Sequence, residues 1–219
     1  MTATFQLVSV NVGLPREVDW HGRHVRTSIW KSPVEGAVHV TSLNLAGDQQ
    51  SDLSVHGGTE KAVYVYPREH YEYWTRELPG QELPWGTFGE NLTTEGLLEP
   101  DVRIGDRLRI GSAEFLVTQP RMPCFKLRIR FGRDDMVKRF LRSGRSGFYL
   151  AVLREGDVAA GQPIELAGRD DHGVTVADIA SLYARDMDNE DLLRRAVAVP
   201  ALPESWKEYF RERLFEPDA

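Results

Sequence analysis

Cysteine is almost missing from this 219-residue chain, in which Cys124 stands alone. A single thiol excludes an internal disulfide and every zinc site built on paired thiolates. The opening Met1-Thr2-Ala3-Thr4-Phe5-Gln6-Leu7-Val8 lacks the basic start and apolar run of a secretory leader, and no later window holds about 18 uninterrupted apolar residues. The expectation is a soluble, cytoplasmic protein without a membrane segment, in which the sequon Asn91-Leu92-Thr93 is a chance match. Also absent are the P-loop, G-x-G-x-x-G, G-x-S-x-G and H-E-x-x-H patterns. The usual nucleotide-binding, kinase and hydrolase readings lose their support. His21-x-x-His24 straddles a tight turn and has no third ligand candidate beside it, which argues against a metal site there.

What is present is ordinary globular usage, 41% hydrophobic and 27% charged, enough to bury a core without disulfides or metal. Charge is unevenly spread. Residues 1–168 carry 20 basic and 21 acidic side chains, whereas residues 169–219 carry 7 and 12, so most of the net charge of −6 sits in the tail. Around the cysteine the sign reverses. Residues 121–145 hold Arg121, Lys126, Arg128, Arg130, Arg133, Lys138, Arg139, Arg142 and Arg145 against only Asp134 and Asp135. Such a cluster is either a solvated helix face or a site for an anionic ligand.

Hydropathy reads as many short strands followed by helices. Val18–Trp20 and His24–Arg26 flank His21-Gly22-Arg23, and Leu108–Ile110 and Ala113–Phe115 flank Gly111-Ser112, each a hairpin by short-turn chemistry. Strands are expected at Phe5–Val10, Val38–Leu45, Ala62–Tyr66 and Phe148–Leu153, with turns at Gly47-Asp48 and Glu155-Gly156-Asp157. Pro67 is placed to open a helix running through Glu77 and stopped by Leu78-Pro79-Gly80. Met136–Leu141 reads as a shorter one. From Gly168 the period becomes helical: Thr175 and Asp178 form a capping-box variant opening Val176–Tyr183, with further helices near Asn189–Val197 and Pro203–Leu214. The expected architecture is a closed or sandwich-like β domain over residues 1–168 and a small three-helix domain over residues 169–219.

Four stretches have unusual composition for plain structure: His56-Gly57-Gly58-Thr59-Glu60-Lys61-Ala62, Phe88-Gly89-Glu90-Asn91-Leu92-Thr93, Gln119-Pro120-Arg121-Met122-Pro123-Cys124-Phe125-Lys126-Leu127, and Arg145-Ser146-Gly147-Phe148. Gly57 and Gly58 permit close backbone approach to a ligand or a positive-φ turn. Cys124 lies on a segment stiffened by Pro120 and Pro123 and flanked by Arg121 and Lys126, surroundings that favour the thiolate, which is what a soft metal binds. A lone cysteine is also often a small buried side chain. A cysteine hydrolase would need a histidine base, for which His56 is the only candidate in motif-like surroundings.

Val55–Tyr64, Gly86–Thr93, Gly105-Asp106-Arg107-Leu108 and Arg121–Leu127 occur in the order found in the MOSC family, the domains similar to the C-terminal part of molybdenum-cofactor sulfurases. The chain closely resembles that family over roughly residues 30–168, and its tail resembles the extra helical domain of the bacterial subgroup linked to resistance against 6-N-hydroxylaminopurine. The resemblance implies a β-barrel-like fold, a molybdenum cofactor (molybdopterin) and reduction of small N-hydroxylated compounds. Cys124 matches the metal-binding cysteine beside the dithiolene sulfurs of the pterin. Lys61, Asn91 and Arg121 match positions for the pterin and its phosphate, with His56, Gly57, Thr93, Lys126 and Ser146 as further candidates. An inserted segment that carries cofactor arginines in eukaryotic members has no match here, and the nine-residue basic cluster is the expected substitute.

With no flavin or haem motif of its own, such a reductase draws electrons from another protein, expected to be a flavoprotein. Two other classes compete. A cofactor or sulfur carrier would use Cys124 without turnover. A DNA-binding tail, read from Val174–Ala180 as the opening of a helix-turn-helix, is opposed by the net −5 of the tail, because non-specific DNA affinity comes from basic side chains. Neither nucleic acid nor membrane is an expected partner.

Overall fold

The structure is a computed structural model that describes residues 5–51 and 57–215. The chain runs β1 (Phe5–Val12), β2 (Arg16–Trp20), β3 (Arg23–Thr27), β4 (Ser32–Val34), β5 (Val38–Val40), β6 (Val63–Pro67), α1 (Glu69–Glu77), β7 (Leu92–Glu95), β8 (Arg107–Ile110), β9 (Ala113–Pro120), α2 (Lys126–Phe131), α3 (Met136–Ser143), β10 (Phe148–Arg154), β11 (Gly156–Val158) and β12 (Pro163–Gly168). Then follow α4 (Val176–Ala184), α5 (Glu190–Ala198) and α6 (Glu204–Phe215). Seven strands in the order β12-β8-β9-β10-β6-β7-β1 close on themselves through a β1–β12 pairing, with β4 added outside β1. The result is a β-barrel with a few helices and a C-terminal helical unit, so no sheet edge of the seven is left to solvent.

Both expected hairpins form. His21 and Gly22 take positive φ of 50° and 74°, the left-handed pair that a two-residue type I′ turn requires, and join β2 to β3. In the β8–β9 hairpin, Leu108, Ile110, Ala113, Phe115 and Val117 are buried on one face. On the other, Arg109 opposes Glu114 with an ion pair of 3.3 Å.

Strand β6 is buried along its whole length because its two faces meet different layers. Val63 and Val65 enter the barrel core, whereas Tyr64 and Tyr66 join Trp74, Phe88, Phe131 and Phe140 in an aromatic layer under α1, α2 and α3. Pro67, expected as a helix start, is instead the last residue of β6. Arg68 N donates to Thr94 O at 2.7 Å, prolonging the parallel β6–β7 pairing, and α1 begins only at Glu69. The strand expected over Val38–Leu45 stops at Val40 because Thr41 N turns back onto Asn44 O at 2.8 Å. Gly156, expected within a turn, already belongs to β11, which pairs with β5.

The C-terminal helices do not form a separate core. Val176, Ile179, Leu182, Leu193, Trp206 and Phe210 belong to the same apolar cluster as the barrel interior. The Thr175–Asp178 capping box is made, with both bonds present. Trp206 Nε1 donates to Gln119 Oε1 at 2.9 Å, tying α6 to the end of β9. Among the described residues, no helix is long and apolar enough to cross a membrane.

Candidate functional site

The cysteine sits where β9 turns into α2. Pro120 ends the strand, Arg121 N donates to Gly147 O at 3.3 Å, and Cys124 O accepts from Leu127 N at 3.1 Å, so the thiol lies at the entry of the helix. The loop beside it depends on Gly147, whose φ is 61° and whose Cβ, if present, would stand 2.3 Å from Val65 O. Only glycine fits that approach. Gly147 N is held by Glu99 Oε1 at 2.7 Å, and Glu99 in turn pairs with His70 at 2.8 Å in a buried contact. A rigid frame thus carries the loop.

Cys124 is half-buried and faces a cleft of about 620 Å³. Arg121 and Lys126 line it from the same loop, Lys61 and Tyr64 from the start of β6, Asn91 and Gly89 from the loop before β7, and Tyr149 from β10. The opposite wall is the segment Thr27–Lys31 with Asp48, Gln50 and Ser51. At its base Lys31 Nζ binds Asp48 Oδ1, the two side chains being 8% and 2% exposed. Asp48 also accepts from Gly13 N at 2.8 Å and from Asn91 Nδ2 at 2.9 Å. Burial pushes the Lys31 ammonium down from its ordinary range, and Asp48 opposes that shift.

Arg121 is 6% exposed, and its guanidinium lies 5.3 Å from the Tyr64 ring and 5.1 Å from that of Phe140. Burial works against its charge, whereas Tyr64 and Cys124 would favour it in their ionised forms; the net direction is upward and Arg121 stays a cation. Burial pushes the hydroxyls of Tyr64 and Tyr149 up, with Arg121 opposing, so both tyrosines stay neutral. Two buried polar atoms on the cleft wall, Ser28 Oγ and Arg121 Nη1, have no protein partner. Unpartnered buried donors are costly in a folded protein and call for a ligand or water.

Of the site residues expected from sequence, Cys124, Gly57, Lys61, Asn91, Arg121 and Lys126 come together on this cleft. His56 lies outside the described residues. Thr93 and Ser146 are not on the cleft wall. Thr93 Oγ1 accepts from Asn11 Nδ2 at 3.0 Å and donates to Glu90 at 3.1 Å, while Ser146 Oγ donates to Gly147 O and its carbonyl accepts from Tyr64 Oη, both at 2.8 Å. Both brace the wall from behind. The basic cluster is also mostly elsewhere. Only Arg121 and Lys126 of its nine members line the cleft. Arg133 and Arg139 pair with Asp135 and Glu77, and Arg145 stacks on Tyr73. Ser28, Lys31, Asp48, Tyr64 and Tyr149 were not named as site residues from the sequence, since single residues scattered over separate segments carry no spacing signal.

Glu90 organises the loop that delivers Asn91. Its carboxylate, fully buried, accepts from Tyr71 Oη, Gly86 N (2.8 Å), Phe88 N (3.1 Å) and Thr93 Oγ1 (3.1 Å). Burial nevertheless raises its pKa above 4.5, outweighing these bonds. Between 4.5 and the raised value, the folded state holds a proton that the unfolded state has released, so this group's contribution to stability falls as pH rises through the folded pKa. Glu90→Gln puts an amide among four donors and should cost about 1–3 kcal/mol. In chemical unfolding from acid to neutral pH, the wild-type advantage over Glu90→Gln should shrink as pH rises. An advantage that grows would refute the assigned direction.

Residues 52–165 match the MOSC domain. The chain belongs to the MOSC family. In this MOSC protein, residues 174–215 match the YiiM-like 3-alpha helix domain, the unit formed by α4, α5 and α6. The chain is 40% identical over 209 residues to the uncharacterized protein YflK of Bacillus subtilis, covering 95% of this chain and 94% of that one. The crystal structure of YiiM from Geobacillus stearothermophilus superposes with a TM-score of 0.80 at 37% identity, over 96% of this chain and 99% of that one. A protein of Gibberella moniliformis named "Reductase" is 37% identical over 151 residues, which span 68% of this chain but only 27% of that longer protein.

Proposed function

We propose that this MOSC protein binds a molybdenum cofactor and reduces small N-hydroxylated compounds to amines, using electrons from a separate flavoprotein reductase. The observation that carries the reading is a lone thiol in a cationic cleft. Among the described residues, no group of three or more His, Cys, Asp or Glu side chains could hold a bare metal ion. One thiolate is the right complement for a soft metal that arrives already chelated by its own sulfurs. The rest of the cleft fits an anionic pterin: Lys61, Lys126 and Arg121 supply positive charge beyond the neutral Lys31–Asp48 pair, and Ser28 Oγ and Arg121 Nη1 are buried polar atoms without a protein partner. The name of the fungal relative agrees with a reductase.

On this reading Cys124 holds the metal, and the cations fix the pterin and its phosphate. Tyr64, buried, and Tyr149, half-buried, are both neutral and shield the thiol from water. The cofactor, when bound, supplies two-electron redox chemistry. The net reaction consumes R–NHOH, two electrons and two protons and releases R–NH2 and water.

The test is to express the protein in a host that makes the cofactor, purify it without oxygen, and measure molybdenum and oxidised pterin per chain. Reduction of hydroxylamine is then followed with a reduced viologen as donor. Near-stoichiometric cofactor with turnover is the expected result. Bound cofactor without turnover would make the protein a carrier, and absence of both species would sink the proposal.

A further inference from the structure

A buried side chain joins the helical unit to the cationic wall of the cleft. Trp206 of α6 donates from Nε1 to Oε1 of Gln119 at 2.9 Å, and both residues are buried. On its other side Gln119 Nε2 reaches Glu60 O at 3.5 Å, and Oγ1 of the neighbouring Thr118 donates to the same carbonyl at 2.7 Å. An indole N–H can only donate and a backbone carbonyl can only accept. The amide of Gln119 is therefore fixed in one orientation, oxygen toward α6 and nitrogen toward Glu60.

Glu60 belongs to the single turn Thr59–Lys61, which leads toward β6 and places Lys61 on the cleft. The turn follows Gly58 at φ 86° and has neither a buried residue nor a side-chain cap, so bonds from its surroundings set its position more than packing does. Besides the two contacts at Glu60 O, Gln50 Nε2 donates to Lys61 O at 3.4 Å. Gln119 also stands two residues before Arg121, at the end of β9. It thus links the turn that carries Lys61 to the loop that carries Arg121 and Lys126, and three cations from two segments close on one anion only if those segments keep their spacing. Holding them in place beforehand lowers the ordering cost of binding.

We propose that the three-helix unit sets the strength of anion binding in the cleft: Trp206 orients Gln119, and Gln119 holds the turn that aims Lys61 at the anion. Gln119 and Trp206 are positioning residues, since neither lines the cleft. The inference rests on the cofactor reading for the identity of the anion, while the coupling itself does not depend on it.

Inorganic pyrophosphate is titrated by calorimetry into the metal-free full chain as wild type, Trp206→Phe, Gln119→Met, Lys61→Met, and each of the first two combined with Lys61→Met. Trp206→Phe keeps an aromatic ring against Tyr183 and Phe210. The helical unit also stays tied to the barrel by Ile104 N to Val174 O and Val176 N to Val102 O, both at 2.9 Å, so this variant folds. Pyrophosphate affinity should fall about three- to tenfold in Trp206→Phe and in Gln119→Met, the scale of coupling within one network, and the same substitutions should have no further effect once Lys61 is Met. A general loosening of the fold would weaken binding equally in both backgrounds. That additive result would overturn the proposal, as would unchanged affinity in both single variants or no pyrophosphate binding by the wild type. Pterin per chain, measured on protein from a host that makes the cofactor, separates the two readings. Bound cofactor without the coupling overturns this inference alone, whereas coupling in a protein that acquires no cofactor overturns the cofactor reading and supports the inference.

Discussion

Cys124→Ser is expected to leave a folded protein that retains pterin but has lost reductase activity by more than about 100-fold, since loss of even an outer partner of a metal ligand commonly costs about 10–100-fold. Serine keeps the size of the side chain but offers a harder, more weakly acidic ligand, so the soft metal loses its protein anchor. The cations that would hold the pterin are separate side chains, and Arg121, Lys126 and Lys61 all remain. Three readouts separate the causes. Pterin per chain should stay near the wild-type value. X-ray absorption at the molybdenum edge should show one sulfur fewer. Thermal unfolding of the metal-free variant should match that of the wild type, because the thiol is only half-buried and no core packing depends on it. Full activity in Cys124→Ser would remove the thiolate from the metal and with it the central element of the proposed function.

What could be read in the sequence was local. The His21-Gly22 turn, the β8–β9 hairpin and the Thr175–Asp178 box are each decided within a few residues, and each forms as expected. The cysteine loop was visible because two prolines and two basic residues surround one thiol. A closed β architecture was expected, but which strands close it was not legible, since closure pairs Phe5 with Ile164 and no pattern in either strand names the other. The short strand β7 escaped because Leu92, Thr93 and Thr94 are all buried, and a strand covered on both faces shows no alternation. Helix α2, Lys126–Phe131, has six residues, too few for a period to show.

The same physics explains the basic cluster. Nine cations within 25 residues read as either a solvated helix face or an anion site; α3 turns Arg139 toward Glu77 and leaves Lys138 and Arg142 exposed, while Arg133 and Arg145, in the flanking loops, meet Asp135 and Tyr73. The cleft takes its remaining net charge from Lys61, far away in sequence, since Lys31 is paired with Asp48. Of the cations that linear charge density singled out, Arg121 and Lys126 line the cleft and the other seven do not.

The second large effect is expected at Asp48. Its carboxylate is 2% exposed and binds Lys31, Gly13 N and Asn91 Nδ2 at once. Asp48→Ala leaves a buried ammonium without its counter-ion and two donors without an acceptor, and should destabilise the fold by about 3–5 kcal/mol, as breaking one side of a buried ion pair does. Because Asp48 also opposes the downward shift of Lys31, its removal drives the lysine pKa lower still and favours the neutral amine. The double variant Asp48→Ala with Lys31→Met removes both charges, so its loss should be clearly smaller than the sum of the two single losses in a denaturant-unfolding cycle. A single-variant loss under about 1 kcal/mol, the scale of exposed pairs, would mean that water reaches this pair freely. The cofactor reading adds a further expectation. If Lys31 lies at the anionic end of the pterin, bound cofactor supplies negative charge in place of the missing carboxylate, and mass action stabilises whichever state binds it. The gap between wild type and Asp48→Ala should therefore be narrower in cofactor-loaded protein than in metal-free protein.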